Sequence, residues 1–204
     1  MSKDILRAGL LELGIEPTEE RLSMFMTYLS ELKKWNRAYS LTALKTDKDI
    51  VIKHFLDSCL YLRAIPKGSQ RIVDVGSGAG FPGVALKIIM PEIEFSLVEP
   101  SRKKSAFLRH IIRILGLKKI DIIEKRVEDI KDMEFDIALT RALFSARDFL
   151  KKTSHIVKRG GLFILSKGPE FRAELNEIKN YYVIDTTLPL TDIIRHLIVI
   201  RNED

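Results

Sequence analysis

Apolar residues recur every three or four positions through the first 65 residues, and this spacing predicts amphipathic helices. We expect the first helix to end at Gly14, the second to begin behind a capping Thr18, and the third behind a capping Asp47, with Pro66 just past its end. The apolar positions on these helices are Ile5, Leu6, Leu10, Leu13, Leu22, Phe25, Leu29, Leu32, Ile50, Val51, Phe55 and Leu62. Such stripes indicate core packing.

From Arg71 onward, short apolar runs alternate with amphipathic stretches, which is typical of a parallel sheet covered by helices on both faces. The predicted strands are "RIVDV", "EFSLVE", "IDIIEKRV", "FDIALT" and "GLFILS". The predicted helices cover residues 82–90, 101–115, 145–158 and 169–180, with Gly116 and Gly160 at the ends of the second and third. The last two runs, "YVIDTTLPL" and "IRHLIVIRN", are separated only by a short turn around Thr191 and Asp192, so they must pair antiparallel.

This order predicts an α/β fold with a seven-stranded, mostly parallel sheet that ends in a C-terminal antiparallel hairpin. It suits the Rossmann-like arrangement of class I methyltransferases better than a six-stranded dinucleotide-binding fold. We divide the chain into an N-terminal helical extension, residues 1–66, packed on a methyltransferase domain, residues 67–204.

The stretch "RIVDVGSGAGFPGVALKII" is a strand, a glycine turn and a helix. Gly76, Gly78 and Gly80 are spaced G-x-G-x-G, and Phe81 stands where the nicotinamide-nucleotide fingerprint needs its third glycine. Pro82 suits the first helical turn, where its missing N–H is not required. The glycines would let a ligand press against the backbone beside a helix N-terminus, which favours a carboxylate or a phosphate.

Acidic residues lie at or just past the ends of the first three strands. Glu99 ends the second strand and can accept hydrogen bonds from both hydroxyls of a ribose, whereas it would repel a 2′-phosphate and so disfavours NADP. Asp74 is expected to order the glycine turn through backbone N–H groups. Val127, Glu128 and Asp129 come just past the third strand, where an adenine ring would lie. Together with the turn, these residues predict a site for S-adenosylmethionine.

Composition limits the class of protein and its partners. The 204 residues carry a formal net charge of +6, which is compatible with a polyanionic partner. No apolar stretch approaches the roughly 20 residues needed to cross a bilayer, and the N-terminus lacks the features of a signal peptide. The single cysteine, Cys59, allows no internal disulfide. We expect a cytoplasmic protein with no membrane contact.

Five segments, "WNRAYSLTAL", "KHFLDS", "DVGSGAGFPGVALKI", "LVEPSRKKSAFL" and "TRAL", occur in this order. Through them nearly the whole chain resembles the bacterial small-subunit rRNA guanine-N7 methyltransferase G family, also called glucose-inhibited division protein B. The resemblance implies S-adenosylmethionine as the cofactor and N7 of one guanosine in the 530 loop of 16S rRNA as the target. It places Gly76, Phe81, Val127, Glu128 and Arg141 on the family's cofactor positions.

One position departs from the family. The family usually reads N-x-x-x-N-L-T in the helical region, and Ser40 stands here in place of the second asparagine. A serine keeps the capacity to form hydrogen bonds but not the amide geometry.

The chemistry that the resemblance implies needs few protein groups. Guanine N7 carries a lone pair and no proton, so its methylation requires placement against the sulfonium methyl group and no general base. We therefore assign no catalytic residue. Cys59 lies on an N-terminal helix, away from the strand edge where a pyrimidine-methylating cysteine is needed, and the chain has "TRAL" where amino-group methyltransferases often carry Asn-Pro-Pro-Tyr.

The RNA contacts are predicted from position and charge. Lys103 and Lys104 begin the helix beside the cofactor edge, where phosphates would approach. Arg141 could pair with the methionine carboxylate or with a phosphate. His54, with Asp57 and Ser58 on the same helix face, could touch RNA or brace the helical extension against the turn. Too few further ligands accompany them for a metal site.

We expect 16S rRNA or a small ribosomal subunit particle as the partner of a monomeric protein. Two alternatives stay open. One is a methyltransferase that acts on a protein or a small molecule, and the other is a catalytically silent RNA-binding protein with the same fold. A basic surface continuous with the pocket would count against the first alternative.

Overall fold

The computed structural model describes residues 1–141, 143–176 and 178–203. Two helices begin the chain, α1 (Ser2–Glu12) and α2 (Glu19–Tyr39). Gly14 follows α1 in the left-handed conformation, with φ at 72°, and the Thr18 hydroxyl accepts a hydrogen bond from Arg21 N at the start of α2. The predicted end of the first helix and the predicted cap of the second are both confirmed.

The third predicted helix is a composite segment. It consists of α3 (Asp47–Ile50), a π-helical stretch (Val51–Leu56), α4 (Asp57–Cys59) and a 3₁₀ turn (Leu60–Arg63). The prediction of Asp47 as its cap is wrong, because the hydroxyl of Thr46 accepts from Asp49 N and Asp47 is already helical. Either residue type can cap a helix, so the sequence pattern alone does not choose between neighbours.

Seven strands form one sheet in the order β3-β2-β1-β4-β5-β7-β6. Their bounds are β1 (Arg71–Val75), β2 (Glu94–Val98), β3 (Ile120–Ile123), β4 (Phe135–Arg141), β5 (Val157–Lys167), β6 (Tyr181–Thr187) and β7 (Ile194–Arg201). The pairs among β1 to β5 are parallel, whereas β7 pairs antiparallel with both β5 and β6. This topology confirms the predicted mostly parallel sheet with its C-terminal hairpin.

Three helices connect the parallel strands, namely α5 (Gly83–Ile89), α6 (Arg102–Ile114) and α7 (Ala146–Thr153). Pro82 lies immediately before α5 rather than inside its first turn. Gly116 follows α6 with φ at 63°, as predicted for a helix end.

Several predicted bounds are wrong. The third strand ends at Ile123, and Val127–Asp129 form a separate 3₁₀ turn. Gly160 does not end a helix but lies inside β5, where its φ of 77° and its N–H bond to Asn202 O accompany an irregular register with β4. The predicted helix 169–180 is a 3₁₀ segment, Pro169–Leu175, and position 177 of that prediction lies outside the described residues.

The helices of residues 2–63 share one hydrophobic core with α5, α6 and the glycine turn. Tyr28 and Phe55 from the helices pack with Phe81 from the turn and Phe107 from α6. The division of the chain at residue 66 stays a prediction. Among the described helices, none is both long and apolar enough to cross a membrane.

Candidate cofactor and RNA site

The glycine turn leaves β1 at the carboxyl edge of the sheet. Its three glycines have positive φ angles, 76° at Gly76, 59° at Gly78 and 94° at Gly80, in the region that side chains with a Cβ rarely adopt. Gly76 N and Ser77 N donate to Val98 O at 2.8 and 3.1 Å, which ties the turn to the end of β2. The backbone path therefore requires glycine independently of any ligand.

The three glycines differ in what surrounds them. A Cβ on Gly80 would lie 2.5 Å from the Tyr28 hydroxyl oxygen, and one on Gly76 would lie 2.1 Å from a methyl carbon of Leu143. A Cβ on Gly78 would meet only Gly76 O, at 3.9 Å. Gly80 is thus required by packing, whereas Gly78 presents backbone to open space.

Two buried carboxylates organise the turn. The Asp74 carboxylate accepts from Gly83 N at 2.9 Å across the turn, and Glu99 accepts from Gly78 N and Ser101 N, both at 2.9 Å. The predicted role of Asp74 in ordering the turn is therefore visible in its bond to α5. Glu99 holds the turn as well, and each of its oxygens keeps a second lone pair that a ligand hydroxyl can use.

Of the two carboxylates, Asp74 has the less favourable surroundings. Its Oδ1 has no hydrogen-bond partner among the described residues, although the residue is fully buried. Burial raises the pKa of Asp74 to about 6, and its bond from the Gly83 N–H only partly opposes that effect. A buried carboxyl group with one unpaired oxygen destabilises the folded state when it ionises.

Arg141, at the end of β4, is held by groups from the helical extension. Its Nη2 lies 3.0 Å from His54 Nδ1, and its Nη1 lies 3.4 Å from both the Asp57 carboxylate and Lys53 O. The guanidinium also covers the Phe81 ring, with its carbon 5.2 Å from the ring centre. The structure thus brings together Arg141, His54 and Phe81, which sequence reasoning had assigned separately.

The helical extension also supports the turn directly. The His54 ring stacks on Phe81 with centres 4.4 Å apart and planes 15° apart, and Tyr28 stacks on Phe81 at 5.2 Å. The Tyr28 hydroxyl donates to Ala79 O inside the turn. His54 therefore braces the extension against the turn, one of the two roles considered for it.

The predicted adenine-side residues lie where the third strand ends. Val127 is buried and begins the 3₁₀ turn, while Glu128 is exposed and forms an ion pair with Lys152. That pair lowers the pKa of Glu128. Their contact with a cofactor stays a prediction.

Lys103 and Lys104 lie in the first turn of α6, next to the Glu99 end of β2. Lys103 is exposed and Lys104 is half-buried. Arg102 precedes them, and this first turn contains no acidic residue. Positive charges are unfavourable at a helix N-terminus because the helix dipole already places partial positive charge there, so the fold itself does not explain these residues.

A cavity of about 650 Å³ opens at the opposite, amino edge of the sheet, between β4, β5 and the C-terminal hairpin. Asp136 and Lys158 in its lining pair with each other at 2.5 Å, and Asp136 also accepts from Gln70 N and Arg71 N. Both side chains are therefore already paired with protein groups that stabilise the fold. Among the described residues, no cluster of His, Cys, Asp and Glu side chains could hold a metal ion.

The sequence did not predict every residue of this site, and Arg195 and Thr42 are two that it missed. Arg195, from β7, donates through Nε to Asp57 at 2.7 Å, although the two residues are 138 positions apart. Thr42, which lies in one of the recognised segments, bonds His54 Nε2 at 2.7 Å through its hydroxyl. His54 lies in a π-helical stretch, and such stretches are frequent at functional sites. No residue pattern in the sequence predicts a π-helical stretch, so this indication is available only from the structure.

A family model described as rRNA small subunit methyltransferase G matches residues 21–193. The ribosomal RNA small subunit methyltransferase G of Alkaliphilus oremlandii is 37% identical over 215 residues, covering 98% of this chain and 90% of that protein. A methyltransferase structure from Pyrococcus furiosus aligns with a TM-score of 0.62 at 13% identity, over 92% of this chain and all of that one. The TYW2 structure of M. jannaschii in complex with AdoMet aligns with a TM-score of 0.53 at 14% identity, over 72% of this chain and 74% of that one. At such identities the solved structures bear on the fold alone.

Proposed function

The chain belongs to the rRNA small subunit methyltransferase G family, and from that premise we propose that it methylates N7 of a guanosine in the 530 loop of 16S rRNA, with S-adenosylmethionine as methyl donor. The observation that carries the proposal is the open backbone at Gly78 beside the buried carboxylate of Glu99, at the carboxyl edge of the sheet. That edge is the usual ligand edge of an open α/β sheet.

The residues at this edge fit the cofactor. Gly78 leaves room for a ligand against the backbone, and Glu99 can accept from ribose hydroxyls with the lone pairs it does not use on backbone N–H groups. Arg141 can pair with the methionine carboxylate, and its contacts with His54 and Asp57 hold it at the same edge. Val127 and Glu128 would lie on the adenine side. The neighbour from M. jannaschii, named as a complex with AdoMet, shares this fold.

When bound, S-adenosylmethionine supplies an electrophilic methyl group. The chain's own contribution is placement, because guanine N7 has a free lone pair and no proton to remove. The site accordingly needs no general base. Among the described residues, His54, the histidine nearest the turn, already uses both ring nitrogens on protein partners. This is consistent with chemistry that depends on orientation alone.

The RNA would approach over the first turn of α6. Lys103 and Lys104 add positive charge beside the cofactor edge, where the helix dipole makes it unfavourable for folding but useful for binding phosphates. We assign Arg141 to the cofactor rather than to RNA because its side chain is only 18% exposed and is held by three neighbouring residues.

The test uses small ribosomal subunits and naked 16S rRNA from cells that lack this activity. We expect the purified protein to transfer labelled methyl from S-adenosylmethionine to one guanosine, detected as 7-methylguanosine by mass spectrometry of nuclease fragments. The comparison of the two substrates shows whether an assembled particle is needed. Label in ribosomal protein would support the protein methyltransferase alternative, and cofactor binding without any transfer would support the silent RNA-binding protein.

A further inference from the structure

Three recognised segments that are distant in sequence meet at the His54 side chain. Asn36 and Thr42 come from "WNRAYSLTAL", His54 from "KHFLDS" and Arg141 from "TRAL", whose third residue, Ala142, lies outside the described residues. Asn36 holds the backbone of Thr42 by two hydrogen bonds, one from its side-chain amide to Thr42 O at 3.0 Å and one from Thr42 N to its oxygen at 2.8 Å. The Thr42 hydroxyl forms a hydrogen bond with His54, and His54 forms one with Arg141.

The partners of His54 determine its tautomer. An arginine has only donors, so His54 Nδ1, 3.0 Å from Arg141 Nη2, must be the acceptor of that bond. The ring proton therefore lies on Nε2, which donates to the Thr42 hydroxyl oxygen at 2.7 Å. Burial, and next the positive charge of Arg141, lower the pKa of His54 to about 3, so the ring is neutral at physiological pH.

The other contacts of the Arg141 guanidinium are longer or less directional than its contact with His54, so His54 sets its orientation. The nearest carboxylate, Asp57, forms its short bond to Arg195 Nε at 2.7 Å and lies 3.4 Å from Arg141 Nη1. Lys53 O is also 3.4 Å away, and the Phe81 face attracts the guanidinium without fixing its rotation. Of the polar contacts that the Arg141 guanidinium makes with the described residues, the one with His54 Nδ1, at 3.0 Å, is the shortest.

We propose that His54 is a positioning residue, whose neutral Nδ1 accepts from Arg141 and holds its guanidinium in the orientation that receives the cofactor carboxylate. The inference rests on the proposed function, because it assigns Arg141 to the cofactor. A guanidinium that is already oriented loses less side-chain entropy when the ligand binds, so the helical extension contributes to cofactor affinity without touching the cofactor.

A purely structural role for His54 must be distinguished from this one, because the ring also stacks on Phe81. Two substitutions separate the roles. His54→Phe keeps a ring on Phe81 and removes the acceptor, whereas His54→Asn removes the ring and can keep an acceptor oxygen near the Nδ1 position. The readouts are S-adenosylmethionine affinity by calorimetry, the melting temperature, and the ordering of the Arg141 guanidinium N–H signals in ligand-free protein by NMR.

We expect His54→Phe to weaken cofactor affinity about tenfold and to broaden the Arg141 signals, with His54→Asn within about threefold of wild type and with ordered signals. Wild-type affinity in His54→Phe together with a loss in His54→Asn would show that the ring acts by packing and would overturn the proposal. Equal losses in both variants, or no loss in either, would overturn it as well.

Failure of the proposed function gives a different pattern. If wild-type protein does not bind S-adenosylmethionine, the assignment of Arg141 to that cofactor fails, and the NMR readout still tests the positioning of its side chain. Arg141 signals that lose order in His54→Phe but not in His54→Asn would then support the positioning role. Signals unchanged in His54→Phe would refute it.

Discussion

Three carboxylates at the carboxyl edge of the sheet are buried, whereas two ion pairs at the amino edge are in contact with solvent. At the carboxyl edge, Asp57, Asp74 and Glu99 are 3%, 0% and 4% exposed. At the amino edge, Glu94 is paired with Arg71 at 3.6 Å with side-chain exposures of 61% and 45%. The pair of Glu92 and Lys119 is similarly open.

This difference in exposure determines how much each charged group costs or contributes to the stability of the folded protein. Exposed ion pairs contribute about 0–1 kcal/mol and can be removed at little cost. Buried charges lose their hydration, so a protein retains them only where other interactions offset that loss. We therefore propose that the buried carboxylates at the carboxyl edge, next to a turn of positive-φ glycines, belong to a site shaped for a ligand.

The largest effect is expected at Asp57. Asp57→Ala leaves both Arg141 and Arg195 without their carboxylate, and removing one partner of a buried ion pair costs about 3–5 kcal/mol of unfolding free energy. The matched control, Glu94→Ala at the amino edge, should cost less than about 1 kcal/mol. Urea unfolding measures both. Similar losses in the two variants would remove the contrast between the edges.

Substitutions of two aspartates should change the pH dependence of stability in opposite directions. Burial raises the pKa of Asp74 to about 6, so between pH 3.8 and 6 the folded protein keeps a proton that the unfolded chain releases. Wild-type stability therefore falls as pH rises through that window. Asp74→Asn should be more stable than wild type at pH 8, by up to about 3 kcal/mol, and the difference should vanish near pH 4.

Asp136, at the amino edge, provides the control. Burial opposes its ionisation, but Lys158 and two backbone N–H groups outweigh burial and hold its pKa below the usual value. Its stabilising contribution is present above its unfolded pKa and is lost as pH falls. Asp136→Asn should thus be less stable than wild type at neutral pH and should approach it in acid. Because this loss occurs below pH 3.8, thermal melts from about pH 2 to 8 test both signs, and the same sign at both positions would contradict the account.

Basic residues at the two edges should differ in their effect on RNA. Replacing Lys103 and Lys104 with alanine should weaken methylation several-fold at subsaturating small subunit and make its salt dependence shallower, because fewer counterions are released. Affinity for S-adenosylmethionine should be nearly unchanged. Alanine at Lys118 and Lys119 removes the same charge at the amino edge and should leave the salt slope as in wild type.

Loss of cofactor affinity in the Lys103 and Lys104 variant, with an unchanged salt slope, would instead assign these lysines to the cofactor pocket. The two measurements are independent, since calorimetry with S-adenosylmethionine needs no RNA.

The smallest effect is expected at Ser40, which precedes the Thr42 loop. Ser40 ends α2 with φ at 51° and ψ at 52°, the left-handed conformation in which asparagine is favoured over serine. The usual family asparagine at this position therefore has a conformational reason. Ser40→Asn should stabilise the protein by about 0.5 kcal/mol, or roughly 1–2 °C in melting temperature, whereas Ser40→Ala should not. A lower melting temperature in Ser40→Asn would refute this explanation.

The order of strands and the glycine turn could be predicted because each depends on local pattern, such as the alternation after Arg71 or the spacing of Gly76 and Gly78. The contacts between side chains at the site could not be predicted from the sequence. Asp57 meets Arg195 across 138 positions, and no periodicity links a helix of the extension to the last strand. Gly160 resembled a helix end because its positive φ has the same sequence signal in a strand irregularity as in a helix cap.

The central claim, that the glycine turn holds S-adenosylmethionine, is tested most directly by calorimetry on Gly78→Val. A branched side chain there would enter the open space at Gly78, so we expect cofactor affinity to fall at least about tenfold while circular dichroism stays native. Gly68→Val, before β1 at the amino edge, is the control, because Gly68 also has a positive φ and a Cβ there would meet no atom within 4 Å. It should bind S-adenosylmethionine as wild type does, and NAD should bind poorly to wild type. Unchanged affinity in folded Gly78→Val, or an equal loss in Gly68→Val, would contradict the claim.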